Sequence, residues 1–296
     1  MHESWDIQRL LKWSTDYLIK KDINAPRLTS ELLLARVLNY SRLELYLHYD
    51  QPLTKKELTA FKALLKRRLV HEPLAYILGE KIFWSLGFQV TPATLIPRPE
   101  TEKLVEIAIK IIKKNPALHP YILDWGTGCG AIAICLAKEL PYAHIMATDI
   151  SKEALECAKQ NIRQHKVSVN LVKSKDLTCF KKGYFHFIVS NPPYVKTSIL
   201  NTLDPEIKDY EPRCALDGGP DGLKYISYLI SHCPRYLRKD GWLIMEIGYD
   251  QKEDIERLKF LNTYDPPCFF KDYSGYIRVV ALKNNRSQKS EVRSQK

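Results

Sequence analysis

"YILDWGTGCGAIAICLAKEL", residues 121–140, is the stretch on which the fold turns. Tyr121 to Trp125 is apolar and β-prone, so it reads as a strand, and Ala131 onward has the apolar spacing of a helix. Between them stands Gly126-Thr127-Gly128-Cys129-Gly130, with glycine at every second position. Glycines let a backbone turn sharply and bring a ligand against main-chain N–H groups. The spacing is G-x-G-x-G and not the dinucleotide G-x-G-x-x-G. It predicts a nucleotide-type ligand at the carboxyl end of the first strand.

Outward toward the C-terminus, strands and helices alternate. "AHIMATD", "VNLVKSKD", "FHFIVSN" and "GWLIMEIG" read as strands, "SKEALECAKQNIRQH", "DGLKYISYLISHCPRYL" and "QKEDIERLKF" as helices, and two late β segments lie near "PCFFKDY" and "YIRVVALK". Repeated βα units imply an α/β fold with a mainly parallel, doubly wound, Rossmann-like sheet. Asp149 ends the second strand, where a carboxylate can accept both hydroxyls of a ribose; it could equally cap the helix after it. Asp176, after the third strand, could accept from an adenine amine, with Leu177 lying against the ring.

The fourth strand stops at Asn191-Pro192-Pro193-Tyr194. Two prolines forbid strand and helix alike. The Asn191 side-chain carbonyl and the Pro192 main-chain carbonyl are two acceptors spaced for the two N–H bonds of a planar –NH2 group. Tyr194 offers a flat face to stack on it. The object held is adenine N6, cytosine N4, guanine N2 or glutamine Nε. Such a nitrogen is a poor nucleophile, and acceptors that grip its hydrogens position it and stabilise the positive charge it develops. The matching electrophile is a sulfonium methyl in the glycine-loop crevice.

Outward toward the N-terminus, residues 1–80 read as a helical domain. "DIQRLLKWSTDYLIKK" and "LTSELLLARVLN" carry helical periodicity, with Ser30 as the expected cap of the second. Thr54 before Glu57 has capping-box spacing, and Pro73 ends that helix. Lys62, Lys66, Arg67 and Arg68 form a basic run that reads first as a solvated face. Residues 81–99 read as a β-hairpin connector, 100–283 as the catalytic domain and 284–296 as a disordered basic tail. Arg98, Pro99 and Glu100 either wall the substrate pocket or, for Glu100, cap the next helix. Glu246, ending the fifth strand, either faces the crevice or is a buried carboxylate. Asp217 to Gly222 reads as a lid or a linker.

Bulk composition narrows the classes. The 45% hydrophobic and 27% charged content is that of a globular protein, and no stretch approaches a membrane helix. The first residues lack an apolar signal core, so the expected compartment is the cytoplasm. Seven scattered cysteines without C-x-x-C, and eight histidines without H-E-x-x-H, argue against a disulfide framework and against a metal site. The net charge of +11 favours an anionic partner, but the last stretch carries five basic residues against one acid and leaves +7. No obligatory nucleic acid and no membrane partner is expected, and the chain is read as a monomer.

"EPLAYILGE", "LIPRPETE", "LDWGTGCGAIAI", "TDISKEALECAKQN", "SNPPY", "EPRCALDGGPDGL", "LIMEIGYDQ" and "DYSGYIRVV" together resemble the release factor glutamine methyltransferase family of the HemK/PrmC type. The resemblance spans nearly the whole chain. "LIPRPETE" beside an N-terminal helical domain is its specific part, since Asn-Pro-Pro-Tyr is shared with nucleic-acid methyltransferases. It implies methyl transfer from S-adenosyl-L-methionine to the glutamine amide of the Gly-Gly-Gln motif in class 1 peptide-chain release factors. It implies cofactor contacts at Gly126, Thr127, Gly128, Cys129, Gly130, Asp149, Asp176, Leu177 and Asn191. Catalysis is assigned to Asn191, Pro192 and Tyr194, with Pro193 completing the substrate loop. Leu177 stands where relatives commonly carry an aromatic residue, and Cys129 where they often carry Ser or Thr. The alternative is an exocyclic-amine methyltransferase of nucleic acid, which on duplexes would flip bases.

Overall fold

The computed structural model describes residues 5–115 and 118–285. The chain divides into two compact units, Met1–Glu80 with Asp204–Tyr210, and Lys81–Leu203 with Glu211–Lys296. The seven residues 204–210, placed by the sequence reading in the catalytic domain, therefore group with the helices.

The helical unit contains α1 (Ile7–Ile19), α2 (Pro26–Leu38), α3 (Arg42–Leu47), α4 (Lys55–Leu69) and α5 (Leu74–Leu78), together with the one-turn α9 (Pro205–Lys208). Ile7, Leu11, Leu18, Leu33, Leu34, Leu45 and Phe61 close one buried cluster. Asp6 caps α1, and Thr54 and Glu57 form the expected capping box of α4. Ser30 is not a cap. The second helix begins at Pro26, whose fixed φ suits the first helical turn, and Ser30 is buried inside it. Ser41 and Glu44 make a second capping box for α3, a short helix that the sequence reading passed over. The basic run of α4 is not one face. Lys62 and Lys66 are exposed, Arg67 pairs with Glu72, and buried Arg68 pairs with Glu206 and donates to the Glu72 carbonyl.

The hairpin of β1 (Glu80–Phe83) and β2 (Leu86–Gln89) belongs to the second unit from Lys81 onward. Its turn residues, Trp84 and Ser85, both have positive φ, the pattern of the tight turn that suits strand twist, here without the usual Asn-Gly. Asn161 of α8 (Lys152–His165) holds β2 by accepting from the Gln89 N–H and donating to its carbonyl.

The sheet contains β3 (Tyr121–Trp125), β4 (His144–Asp149), β5 (Asn170–Lys173), β6 (Phe185–Ser190), β7 (Leu237–Glu246), β8 (Cys268–Lys271) and β9 (Ile277–Lys283), in the order β5-β4-β3-β6-β7-β9-β8. The first five run parallel, and β9 and β8 are antiparallel additions. Leu123 and Trp125 pack with α10 (Lys224–Tyr236) and with Ile255 of α11 (Lys252–Glu256). Side chains alternate along a strand, so Asp124 faces the other way and accepts from Ala133 in α7 (Ala131–Glu139). A sixth helix, α6 (Thr101–Lys114), has Glu102 in its first turn and Lys113 and Lys114 in its last, each sign favourable to the helix dipole. Register sets Trp125 beside Thr148 and Ser190, so the loops after β3, β4 and β6 emerge at one edge. Asn284, assigned by the sequence reading to the tail, is buried; residues 286–296 lie outside the described residues.

Candidate functional site

At that edge the second unit holds an open cavity lined by Gly126, Thr127, Gly128, Cys129, Asp149, Asn191 and Pro193 among others. The three loop glycines do not share one reason. Gly126 and Gly128 have φ of +76° and +57°, and a Cβ on either would meet nothing within 4 Å, so the backbone is bare toward open space. Gly130 also has positive φ, but a Cβ there would meet Ala158 Cβ at 3.2 Å. It serves the packing of α7 against α8 and does not line the cavity.

Asp149 ties the loop down. Its Oδ2 accepts from Gly128 N at 2.9 Å and its Oδ1 from Ser151 N at 2.9 Å, while Ser151, not Asp149, caps α8. A carboxylate has about four acceptor sites, so two remain for a ligand's hydroxyls. Below the loop lies Asp124, fully buried, accepting from Thr127 Oγ1 at 2.6 Å and Ala133 N at 3.2 Å through Oδ2. Its Oδ1 has no partner among the described residues. Burial pushes this carboxyl up to about 7 against those two hydrogen bonds, with nearby Asp149 adding to the rise. Burial also pushes the Cys129 thiol up to about 12, the reverse of the activation that a helix N-terminus could give.

Past β5 the cavity wall is Ser174 and Lys175. Asp176 and Leu177 are not brought to it. Asp176 accepts from the Thr178 hydroxyl and N–H, which hold its carboxyl below the usual range. Leu177 is fully buried in the core with Trp125 and Leu229. The broad apolar wall is instead supplied by Trp125 and Tyr225, whose ring centroids lie 6.0 Å apart.

The elbow after β6 splits in two. Asn191 and Pro193 line the cavity, whereas Pro192 is buried and Tyr194 is drawn inward. The Tyr194 hydroxyl donates to Glu246 Oε1 at 2.9 Å, so its ring is tethered and is not a free platform. Burial and the adjacent Glu246 raise its hydroxyl well above the usual range. Asn191 Nδ2 donates to Thr101 Oγ1 at 3.2 Å, which leaves the carbonyl oxygen as the group for a ligand. No main-chain N–H of the described residues donates to the Pro192 carbonyl.

The glycine-rich stretch 217–222 packs behind this elbow. Gly218 N donates to the Val195 carbonyl, and Thr197 N to the Gly219 carbonyl. A Cβ on Gly218 would lie 2.8 Å from Tyr194 backbone, and one on Gly222 would lie 2.5 Å from the Tyr194 carbonyl. Buried Gln251 joins both parts through Nε2, which donates to the Tyr194 and Gly222 carbonyls at 3.1 Å each. The segment is a brace, neither the lid nor the plain linker considered from sequence.

Two further loops wall the cavity, through Pro97 and Arg98 and through Pro212 and Cys214. Glu211 fastens one to the other: its carboxylate is buried, pairs with Arg98 and accepts from Ile96 N. Pro99 and Glu100 do not reach the cavity, and Glu100 makes no side-chain cap on α6. Thr101, Trp125, Glu211, Tyr225 and Gln251 were missed from sequence. "EPRC" and "YDQ" carried the only signal, an acid or amide next to a turn, which is too common to stand out.

Family models match two parts of the chain: the PrmC N-terminal domain over residues 9–79 and the methyltransferase small domain over residues 104–203. The chain is 40% identical to the release factor glutamine methyltransferase of Geobacter sulfurreducens over 94% of its length and 96% of that protein's. It is 41% identical to the protein of that name from Coxiella burnetii, over 87% of its length and 92% of that protein's. A methyltransferase structure from Pyrococcus furiosus superposes with a TM-score of 0.50 at 21% identity, covering 69% of this chain and 91% of that one, and shows the shared fold. Among the described residues, no helix is long and apolar enough to cross a membrane.

Proposed function

From the premise that this chain belongs to the release factor glutamine methyltransferase family, we propose that it transfers a methyl group from S-adenosyl-L-methionine to the side-chain amide nitrogen of the Gly-Gly-Gln glutamine in class 1 release factors. The observation that carries the reading is the pairing, in one cavity, of a bare glycine loop with an Asn191 whose carbonyl is left for a ligand. The reading implies a cytoplasmic enzyme acting on a protein that serves translation termination.

The residues present fit the methyl donor. Gly126 and Gly128 leave open space where a side chain would stand, so a ligand can lie close against the loop backbone, and Asp149 keeps acceptor capacity at the end of β4. Trp125 and Tyr225 give an apolar wall. When bound, S-adenosyl-L-methionine supplies an electrophilic methyl on a sulfonium. Asn191 Oδ1 and the Pro192 carbonyl then accept the two N–H bonds of the glutamine amide and fix its nitrogen toward that methyl. Both acceptors are partly negative and gain strength as positive charge grows on nitrogen, so they act more on the transition state than on the bound substrate. The two consecutive prolines after Asn191 restrict the backbone of the elbow.

The test is methyl transfer from labelled S-adenosyl-L-methionine, offered separately to a class 1 release factor, total tRNA and duplex DNA. Label on the Gly-Gly-Gln glutamine, lost when that glutamine is replaced, is the expected result. Label on nucleic acid alone would keep the elbow chemistry and overturn the substrate.

A further inference from the structure

The cavity lining carries two cations, Arg98 and Lys175, whereas the methyl donor carries a single negative charge, its α-carboxylate. Strand order decides which cation can meet it. In the order β5-β4-β3-β6, Lys175 follows β5 at one flank and Asn191 follows β6 at the other. Asp149, which keeps acceptors for a ribose, ends β4 between them. In S-adenosyl-L-methionine the sulfur bears the methyl and the amino-acid chain on one side of the ribose, and adenine leaves the ribose on the other. With the ribose at Asp149 and the methyl toward Asn191, the carboxylate falls on the Asn191 flank and the adenine on the Lys175 flank. Arg98 stands on the Asn191 flank. Its carbonyl accepts from Thr101 N at 3.0 Å, and the Thr101 hydroxyl accepts from Asn191 Nδ2 at 3.2 Å.

Arg98 is also held in the manner of a built binding group. A guanidinium offers five N–H donors in a planar fork that matches a carboxylate. Its Nη2 donates to Glu211 Oε1, and Glu211, with its side chain buried, accepts from Ile96 N at 3.2 Å through Oε2. The fork is thereby fixed against the cavity wall instead of being left to wander from a flexible stem. Among the described residues the guanidinium donates to Glu211 alone, and the Arg98 side chain is still 30% exposed, so donors remain for a ligand. We propose that Arg98 binds the α-carboxylate of S-adenosyl-L-methionine, with Glu211 as the residue that positions its guanidinium. The inference rests on the functional reading above only for the identity of the methyl donor, and it holds whichever substrate receives the methyl.

The test is calorimetric binding of two ligands that differ by the carboxylate alone. One is S-adenosylhomocysteine. The other is its decarboxylated analogue S-adenosyl-3-thiopropylamine, which keeps the amine. Wild type should prefer S-adenosylhomocysteine by about ten- to a hundredfold, the range of a hydrogen bond between charged groups. In R98M that preference should shrink to about twofold, while the decarboxylated analogue binds as it does to wild type. R98M leaves the Glu211 carboxylate buried without its partner and could fail to fold. R98M/E211Q removes that charge and keeps an acceptor for Ile96 N, and it should show the same selective loss.

A structural role for Arg98 alone would weaken both ligands equally, because the wall itself would have moved, and that result would overturn the inference. So would a variant that keeps the wild-type preference, even with a raised KM for the release factor, which would assign Arg98 to the protein substrate. Wild type binding the two ligands equally well would overturn it without any variant. Wild type binding neither ligand would instead sink the functional reading, and the inference with it.

Discussion

The glycine loop after β3 and the Asn-Pro-Pro-Tyr elbow after β6 end adjacent strands, paired through Trp125 and Ser190, but they are supported from different distances along the chain. The loop leans on neighbours: Thr127 donates to Asp124 three residues before it, and Gly128 to Asp149 twenty-one residues on. The elbow leans on strangers: Asn191 reaches Thr101 across 90 residues, Tyr194 reaches Glu246 across 52, and Gln251 reaches Tyr194 across 57. A loop stabilised locally has its shape as soon as the βαβ unit forms. An elbow stabilised remotely has its shape only when α6, β7 and the glycine-rich brace have all arrived. The half of the site that binds the methyl donor is thus built into one supersecondary unit, whereas the half that presents the acceptor depends on the whole second unit.

The contrast breaks first at Asn191. Asn191→Ala should leave the thermal unfolding of the protein near that of wild type and reduce kcat a hundred- to a thousandfold, about 2.7–4 kcal/mol in the barrier. A folded variant with near-wild-type turnover would remove the elbow from the chemistry.

The local support of the glycine loop has its own signature, in pH. The Asp124 carboxyl, near 3.8 in an unfolded chain, stands at about 7 in the folded one. Below the lower value both states are protonated. Between the two, the unfolded chain ionises and the folded chain does not, so stability falls as pH rises, and above about 7 the loss is complete. The shift corresponds to at most about 4 kcal/mol. Urea unfolding at pH 4.5 and pH 8 should show wild type losing more stability than Asp124→Asn between the two, since asparagine keeps an acceptor for Thr127 and Ala133 without ionising. Equal losses in both proteins would remove Asp124 from the balance.

Glycine substitutions sharpen the comparison from both sides. Gly222→Ala forces a Cβ to within 2.5 Å of the Tyr194 carbonyl at a φ of +77°, so the brace must shift and the elbow with it. Overpacking and the unfavourable φ together should cost about 2–3 kcal/mol of stability, measured by urea unfolding, and should lower kcat in the folded fraction. Gly128→Ala meets no protein atom at all. It should cost only about 1 kcal/mol of stability, from its left-handed φ, while weakening S-adenosylhomocysteine binding measured by calorimetry. If the two variants behaved alike, the division between a local and a remote support would fail.

Much of this architecture was legible in the chain. Alternating βα texture, three glycines at the first junction and an acid after the second strand are short-range signals, and the strands they announced are present in the sheet. Capping boxes at Thr54 and Ser41 are equally local, although only the first was read. Misreadings occurred where neighbours in space outvoted neighbours in sequence. Ser30 was taken for a cap because it precedes an apolar run, but Pro26 had already opened the helix and packing buried the serine. Leu177 was placed on a ligand because it follows an acid at a strand end, yet the side chain was claimed by the core. Tyr194 was expected to offer its flat face to the substrate amide, yet its hydroxyl is held by Glu246.

The sequence by itself determined the fold class, the order of the elements and the chemical type of the site. Periodicity, turn chemistry and motif spacing are properties of consecutive residues and survive without a partner. The tertiary structure alone decided that Glu211 latches Arg98, that Gly218 and Gly222 brace Tyr194, that Asn191 meets Thr101 and that Tyr194 meets Glu246. Those are contacts between residues far apart in the chain, and a buried hydrogen bond takes its meaning from the partner it finds there.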